Sequence, residues 1–327
     1  MSTAAKASKS PALEVDGTRE KLARLGLLHA AEALGRELSE AVQHNRTAHA
    51  VLDRLLAHEL SQRDERRVRT SLRLSGLPPG MTLGDFDFAF QPSVERRQIE
   101  TLATCGFVRE HTTLLVQGPP GVGKTHICVG LGVKAIEHGF SVAFYRLEDL
   151  LHEMRKDAAV APQRLRRKKY FNVSYLVVDE VGFEPMARED AGLFFRLVSY
   201  RYCRGSTAIT TNKSVKDWPG IFAGDEALAA AILDRLLHKS VVLNIRGRSY
   251  RLQELEKKML RAEKRKFTDQ QRQIHTIKEN LFPNDSLQER IDNFTYYYAK
   301  WGKDFIHQLY LHSLSLEEEF VILTETG

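Results

Sequence analysis

The chain has 327 residues, 43% of them hydrophobic, with 48 Lys plus Arg against 42 Asp plus Glu and a formal net charge of +6. That length allows two domains or one large domain with extensions, and the apolar content is ample for a packed core. Three widely spaced cysteines, Cys105, Cys128 and Cys203, with no C-x-x-C pair and no nearby His cluster indicate neither a disulfide framework nor a zinc site. No apolar stretch reaches membrane-spanning length, and the Ser/Ala/Lys-rich start lacks the apolar middle of a signal peptide, so the expectation is a soluble cytoplasmic protein without a membrane partner. The mild positive charge leans towards a polyanionic partner.

Residues 1–17 are small and polar, which predicts a disordered lead-in. From Thr18 the spacing of Leu22, Leu25, Leu28, Ala31, Leu34 and Leu38 predicts one helix, followed by a second along Val51, Leu52, Leu55, Leu56 and Leu60. The second runs into a basic cluster, Arg63, Arg66, Arg67, Arg69 and Arg73, and Leu77-Pro-Pro-Gly80 breaks it. A helical domain is therefore expected over 18–78, with Asp85-Phe-Asp-Phe-Ala-Phe90 as an aromatic linker into the next domain, 79–251.

Thr113–Gln117 reads as a strand and His126–Ile136 as a helix. Between them stands Gly118-Pro-Pro-Gly-Val-Gly-Lys-Thr125, a complete G-x-x-x-x-G-K-[ST] phosphate loop in the strand–loop–helix context that makes the motif specific. All eight positions, Gly118, Pro119, Pro120, Gly121, Val122, Gly123, Lys124 and Thr125, are assigned to nucleotide binding. The glycines let backbone N–H groups wrap a phosphate, and the helix N-terminus adds its positive end. Lys124 is placed for the β- and γ-phosphates and the Thr125 hydroxyl for Mg²⁺, so ATP and Mg²⁺ are the expected cofactors.

Strand and helix signals then alternate. Phe140–Tyr145, Tyr175–Asp179, Thr207–Thr211 and Val241–Ile245 read as strands, with helices over Leu147–Met154 and Ala191–Tyr202. This alternation predicts an α/β fold, a parallel sheet covered by helices on both faces. Asp179-Glu180 closes an apolar strand, where a phosphate-loop ATPase needs its acidic motif. Asp179 would hold the metal and Glu180 would polarise the attacking water; a helix cap or a solvated loop charge is the alternative. Asn212, at another strand end, has the chemistry to sense the γ-phosphate or orient the water, but a bare strand-end Asn more often serves turn chemistry, so this assignment depends on the whole pattern. Arg235 could complete a neighbouring subunit's site, or could pair on the surface with Asp234 or Glu226. A second basic cluster, Arg164-Leu-Arg-Arg-Lys-Lys169, joins the first as a candidate for sequence-independent phosphate contacts, solvated helix faces being the other explanation.

From Leu252 to the end a helical tail is expected. Leu260, Phe267, Ile274 and Leu281 recur every seven residues as in a coiled-coil seam, and aromatic-rich helices follow.

From about Leu22 to Arg251 the chain resembles the IstB-like ATP-binding helper proteins of insertion sequences, relatives of the DnaC helicase loaders among the AAA+ ATPases. The resemblance lies in Leu77-Pro-Pro-Gly80, Asp85-Phe-Asp-Phe88, the phosphate loop with His126, and Leu176-Val-Val-Asp-Glu-Val-Gly182. It continues through Ser206-Thr-Ala-Ile-Thr-Thr-Asn212, Ala231-Ile-Leu-Asp-Arg-Leu-Leu-His238 and Asn244-Ile-Arg-Gly-Arg-Ser-Tyr-Arg251. Arg248 stands where the family pattern has Glu. The resemblance implies an AAA+ ATPase that hydrolyses ATP, assembles as a homo-oligomer on duplex DNA, deforms it and recruits a cognate transposase. It also implies that Arg235 acts in trans. A replicative helicase loader is the rival within the class. Residues of roughly 254–323, including Gln271-Arg-Gln-Ile274, Leu281-Phe-Pro-Asn284 and Tyr298-Ala-Lys-Trp-Gly-Lys-Asp-Phe305, resemble the C-terminal segment of the bacillithiol biosynthesis cysteine-adding enzyme. That implies a helical dimerisation element without the ligase's catalytic domain, and makes a fusion fragment related to that ligase the rival from outside the class.

Overall fold

The computed structural model describes residues 11–157, 160–253, 255–259, 261 and 299. The chain divides into two compact units, Met1–Tyr250 and Arg251–Gly327. Leu260, Phe267, Ile274 and Leu281 of the expected seam lie outside the described residues, as do the aromatic helices beyond them. Within the first unit the chain runs through α1 (Pro11–Arg24), α2 (Leu28–Gln43), α3 (Ala48–Ser75), α4 (Arg96–Ala103), α5 (Gly106–Arg109) and β1 (Thr113–Gln117). It continues with α6 (Lys124–Glu137), β2 (Val142–Arg146), α7 (Leu147–Lys156), α8 (Pro162–Leu165), α9 (Lys169–Asn172) and β3 (Tyr175–Val181). The last elements are α10 (Arg188–Arg201), β4 (Ser206–Thr211), α11 (Trp218–Ile221), α12 (Glu226–His238) and β5 (Ser240–Asn244).

The first helical stretch differs from its sequence reading at both ends. A helix already begins at Pro11, inside the expected lead-in, where proline's missing N–H falls among groups the first turn leaves unpaired anyway. The single helix expected through Leu38 is two. Gly26, at φ +75, turns the chain between α1 and α2, and the apolar spacing runs through the break without registering it. In α3 the Thr47 hydroxyl accepts from Ala50 N–H at 3.3 Å at the start, and Gly76 in the left-handed conformation stops the helix just before Leu77-Pro-Pro.

A small core of Ala30, Ala33, Leu34, Val51 and Leu55 joins α2 to α3. Two carboxylates are buried beside it. Glu37 is held below the usual carboxylate range by the bond from Arg54 Nε at 2.6 Å, with Arg36 and Arg46 adding to it. Burial pushes Glu59 upward, but the Ala30 N–H at 2.9 Å and Arg63 Nε at 2.7 Å outweigh it and leave the group lowered. The distal half of α3 lies on the α/β unit, with Val68 and Leu72 packed against its core.

Five strands form one parallel sheet in the order β2-β3-β4-β1-β5. Successive side chains alternate across it, as the two-residue strand period demands. Leu115, Leu176, Val178 and Ile209 enter the core beneath α7, α10 and α12, whereas Leu114, Val116, Tyr175 and Val177 enter the opposite core with Ile127 and Leu131 of α6. Both faces are covered, so the strands read as near-continuous apolar runs. Arg201, at the end of α10, is 2% exposed and donates to the carbonyls of Tyr170, Phe171, Val173 and Ser206 and to the Thr207 hydroxyl. Burial lowers its pKa to about 10, and it stays charged at neutral pH as a clasp between α9 and β4.

Candidate nucleotide site

The parallel sheet brings the C-terminal ends of β1, β3 and β4 together. Thr211 O accepts from Gly118 N–H at 3.1 Å, fixing the start of the phosphate loop to the end of β4. The loop ends at Gly123, whose φ of +97 caps the N-terminus of α6. A Cβ there would lie 2.6 Å from Phe86 Cε2, so the aromatic linker seats directly on the loop and only glycine fits beneath it. On the other side Tyr250 N–H donates to Gly121 O at 2.9 Å. The loop is thus held between the linker before β1 and the segment after β5.

Lys124 Nζ donates to Gly118 O at 2.9 Å and Pro119 O at 2.8 Å, which poises the ammonium across the mouth of the loop. The Thr125 hydroxyl donates to Asp179 at 2.9 and 3.1 Å from its two carboxylate oxygens. A hydroxyl and a carboxylate in contact are hard oxygen donors suited to Mg²⁺, which takes few protein ligands and completes its shell with phosphate and water. The described residues hold no cluster of three or more His, Cys, Asp or Glu, so an all-protein metal cage is absent among them. The residues fit Mg²⁺ delivered with a nucleotide.

Asp179 and Glu180 are neighbours in sequence, and an unbroken strand would point them to opposite faces. The pairing of β3 with β4 shifts register here: Val178 faces Ile209 and Val181 faces Thr211, leaving Asp179 and Glu180 both opposite Thr210. This is a β-bulge, and Glu180 carries its strain at φ +65. Asp179 stays 4% exposed against Thr125, while Glu180 comes out into solvent. Its carboxylate lies 3.8 Å from Arg146 Nε at the end of β2, an exposed pair of little energetic weight. The Thr210 hydroxyl donates to Asp179 Oδ1 and accepts from Glu180 N–H at 3.0 Å. Sequence reading missed Thr210 because β4 carries four hydroxyl-bearing residues, Ser206, Thr207, Thr210 and Thr211, and no local signal marks which of them meets the acid.

Asn212 is exposed one residue beyond β4, between the phosphate-loop and acidic strands. Arg235 is elsewhere. It lines a small cleft with His111, Thr113 and Lys239, at the start of β1, whereas the phosphate loop follows that strand's end. Five residues at ~3.3 Å per residue separate the two ends by roughly 16 Å, beyond the reach of an arginine side chain. Its guanidinium donates to Ala231 O at 2.8 Å and lies 5.0 Å from the Phe195 ring centroid, rather than pairing with Asp234 or Glu226. Arg235 cannot serve the phosphate loop of its own chain.

The basic clusters separate into two populations. Arg63 donates to Glu59 and Gly26 O, and Arg67 to Ile136 O and Glu137 O at the end of α6. Lys168 pairs with Asp157 at 2.7 Å, and Lys169 donates to Leu74 O at the end of α3. These four hold the fold together. Arg66, Arg69 and Arg73 are exposed along one face of α3, at three- and four-residue steps, and Arg164, Arg166 and Arg167 are exposed around α8.

The profile of the IstB-like ATP binding protein family matches residues 20–258. The chain belongs to the IstB-like ATP-binding protein family. Relatives include an insertion sequence IS21 ATP-binding protein of Pseudomonas aeruginosa, 41% identical over 72% of this chain and 89% of that protein. Another, from insertion sequence IS5376 of Geobacillus stearothermophilus, is 36% identical over 74% of this chain and 95% of its own length. Among solved structures, a DnaC helicase loader is 25% identical over 46% of this chain and 86% of that one, with a TM-score of 0.39. A DNA replication initiation factor covers 67% of this chain and 80% of its own at 15% identity, with a TM-score of 0.46. The fold is an α/β phosphate-loop unit, a five-stranded parallel sheet covered by helices, with α1–α3 preceding it. A second profile, the C-terminal coiled-coil domain of the bacillithiol biosynthesis protein BshC, matches residues 226–325. It starts well before the tail similarity seen in the sequence near residue 254. The overlap with the first profile falls largely on α12 and β5, and the pairing of β5 with β1 places those elements in the α/β unit.

Proposed function

We propose that this IstB-like protein is an ATP-dependent helper of transposition that binds ATP with Mg²⁺, assembles as a homo-oligomer on duplex DNA, hydrolyses the nucleotide and recruits a cognate transposase. The observation that carries the reading is the convergence of Lys124, Thr125, Asp179 and Glu180 at the ends of β1 and β3. Phosphoryl transfer needs little covalent chemistry from the protein, and it is catalysed by positioning and charge. Gly118–Gly123 and the N-terminus of α6 cradle the phosphates, with Lys124 on the β- and γ-groups. Thr125 and Asp179 would hold the cation, which would supply positive charge to offset that of the phosphates. Glu180, in solvent at the bulge, takes the proton of an attacking water, and Asn212 orients that water or senses the γ-phosphate.

Arg235 acts on a neighbouring subunit's nucleotide, because its own is out of reach. Lys124→Ala and Arg235→Ala subunits are each expected to hydrolyse poorly alone and to regain a measurable fraction of activity when mixed, since each lacks a different half of the shared site. A phosphate-release titration across mixing ratios reads this, and a flat baseline at every ratio counts against action in trans.

Arg66, Arg69, Arg73, Arg164, Arg166 and Arg167 supply the phosphate contacts to DNA. Each cation that neutralises a phosphate releases a counterion, so affinity falls steeply with salt and depends little on sequence. Replacing Arg66, Arg69 and Arg73 with alanine is expected to flatten the slope of log affinity against log salt by roughly 2 to 3. Fluorescence anisotropy on duplexes of unrelated sequence, with ATP present, measures it. A slope equal to the parent's would remove the α3 face from the interface, and salt-insensitive parent binding would remove phosphate contacts as the mode of DNA binding.

A further inference from the structure

Among the described residues, Thr210 is the one side chain with hydrogen bonds to both members of the acidic pair. It is 1% exposed in β4, facing the bulge. Its hydroxyl has a single proton and two acceptor sites. The Glu180 N–H occupies an acceptor site at 3.0 Å, and the proton is directed to Asp179 Oδ1. Both bonds run the same way round the bulge, so each fixes the direction of the other. The Thr125 hydroxyl also donates to Asp179, but its oxygen is the atom that must turn to a cation. Once it does, Thr210 is the remaining contact of these two that aims the carboxylate.

We infer that Thr210 is a positioning residue of the nucleotide site, orienting Asp179 for Mg²⁺ while its bond to Glu180 N–H sets the backbone from which the Glu180 carboxylate projects. This rests on the ATPase reading above. A hydroxyl in this position acts as do groups that orient metal ligands from behind, whose loss weakens metal binding about 10- to 100-fold. Thr210 itself touches neither metal nor nucleotide.

The experiment compares Thr210→Val, which keeps the branched shape and removes the hydroxyl, with Thr210→Ser, which keeps the hydroxyl. Affinity for a fluorescent ATP analogue is measured in EDTA and across a Mg²⁺ titration, and hydrolysis is followed separately. Thr210→Val should bind the analogue in EDTA like the parent, need about tenfold more Mg²⁺ for half-maximal tightening, and lose kcat more than KM. Thr210→Ser should stay within about twofold of the parent in the Mg²⁺ titration. A parental Mg²⁺ midpoint in Thr210→Val would overturn the inference. So would equal damage in both variants, which would mean that the buried position tolerates no change and that the hydroxyl has no particular role. If the parent shows neither Mg²⁺-dependent tightening nor hydrolysis, the ATPase reading fails and takes this role with it, whereas a normal parent with an indifferent Thr210→Val removes the role alone.

Discussion

Replacing Lys124 with alanine is expected to weaken ATP binding by roughly a hundredfold or more while the fold survives. The ammonium already lies 2.9 and 2.8 Å from two loop carbonyls, so it is positioned at the phosphate-binding mouth before any ligand arrives. Hydrogen bonds to charged groups contribute about 1.5 to 3 kcal/mol each, and two such bonds to phosphate oxygens amount to about 3 to 6 kcal/mol. At about 1.4 kcal/mol per tenfold, that is a factor of about 10² to 10⁴. The side chain starts the first turn of α6 and contributes nothing to either core, so thermal unfolding should hardly move. A fluorescent ATP analogue titrated against parent and variant measures the loss. Parental affinity would remove Lys124, and with it the phosphate-loop assignment.

Glu180→Gln should separate binding from chemistry. The amide has nearly the same size but cannot take up a proton, and a positioned general base contributes about 10² to 10⁴ in rate. Hydrolysis should fall within that range, while ATP affinity changes by no more than about threefold. The second expectation follows from geometry. The Thr125–Asp179 contact does not involve the Glu180 carboxylate, and the ion pair with Arg146 that disappears is exposed and weak. The variant should therefore accumulate with ATP bound. Equal turnover of parent and variant would deny Glu180 its role in activating water.

The phosphate loop was legible in the sequence because all its polar chemistry lies in eight consecutive residues between a strand and a helix. The parallel sheet was legible because strands buried on both faces must be short and apolar. Contacts across the fold left no such trace. Gly26 divides α1 from α2, yet the leucine spacing continues through it. Arg63 and Arg66 look alike in a basic run, but one is paired with a buried glutamate and the other faces solvent. Thr210 acquires its partners only when β4 is laid beside β3, and the bulge that selects it is a property of the pairing rather than of either strand. The reach of Arg235 likewise depends on which end of the sheet α12 runs to.

The bulge at Asp179-Glu180 also bears on how this chain can evolve. Holding a glutamate at φ +65 costs roughly 1 to 2 kcal/mol, a strain that glycine would not feel and asparagine would feel less. Selection for thermal robustness alone would drift position 180 towards those residues and retain every strand pairing. If Glu180 activates water as proposed, a glutamate is retained there only while turnover is under selection. On that proposal the identity of residue 180 would separate relatives that hydrolyse nucleotide from those that retain only the fold.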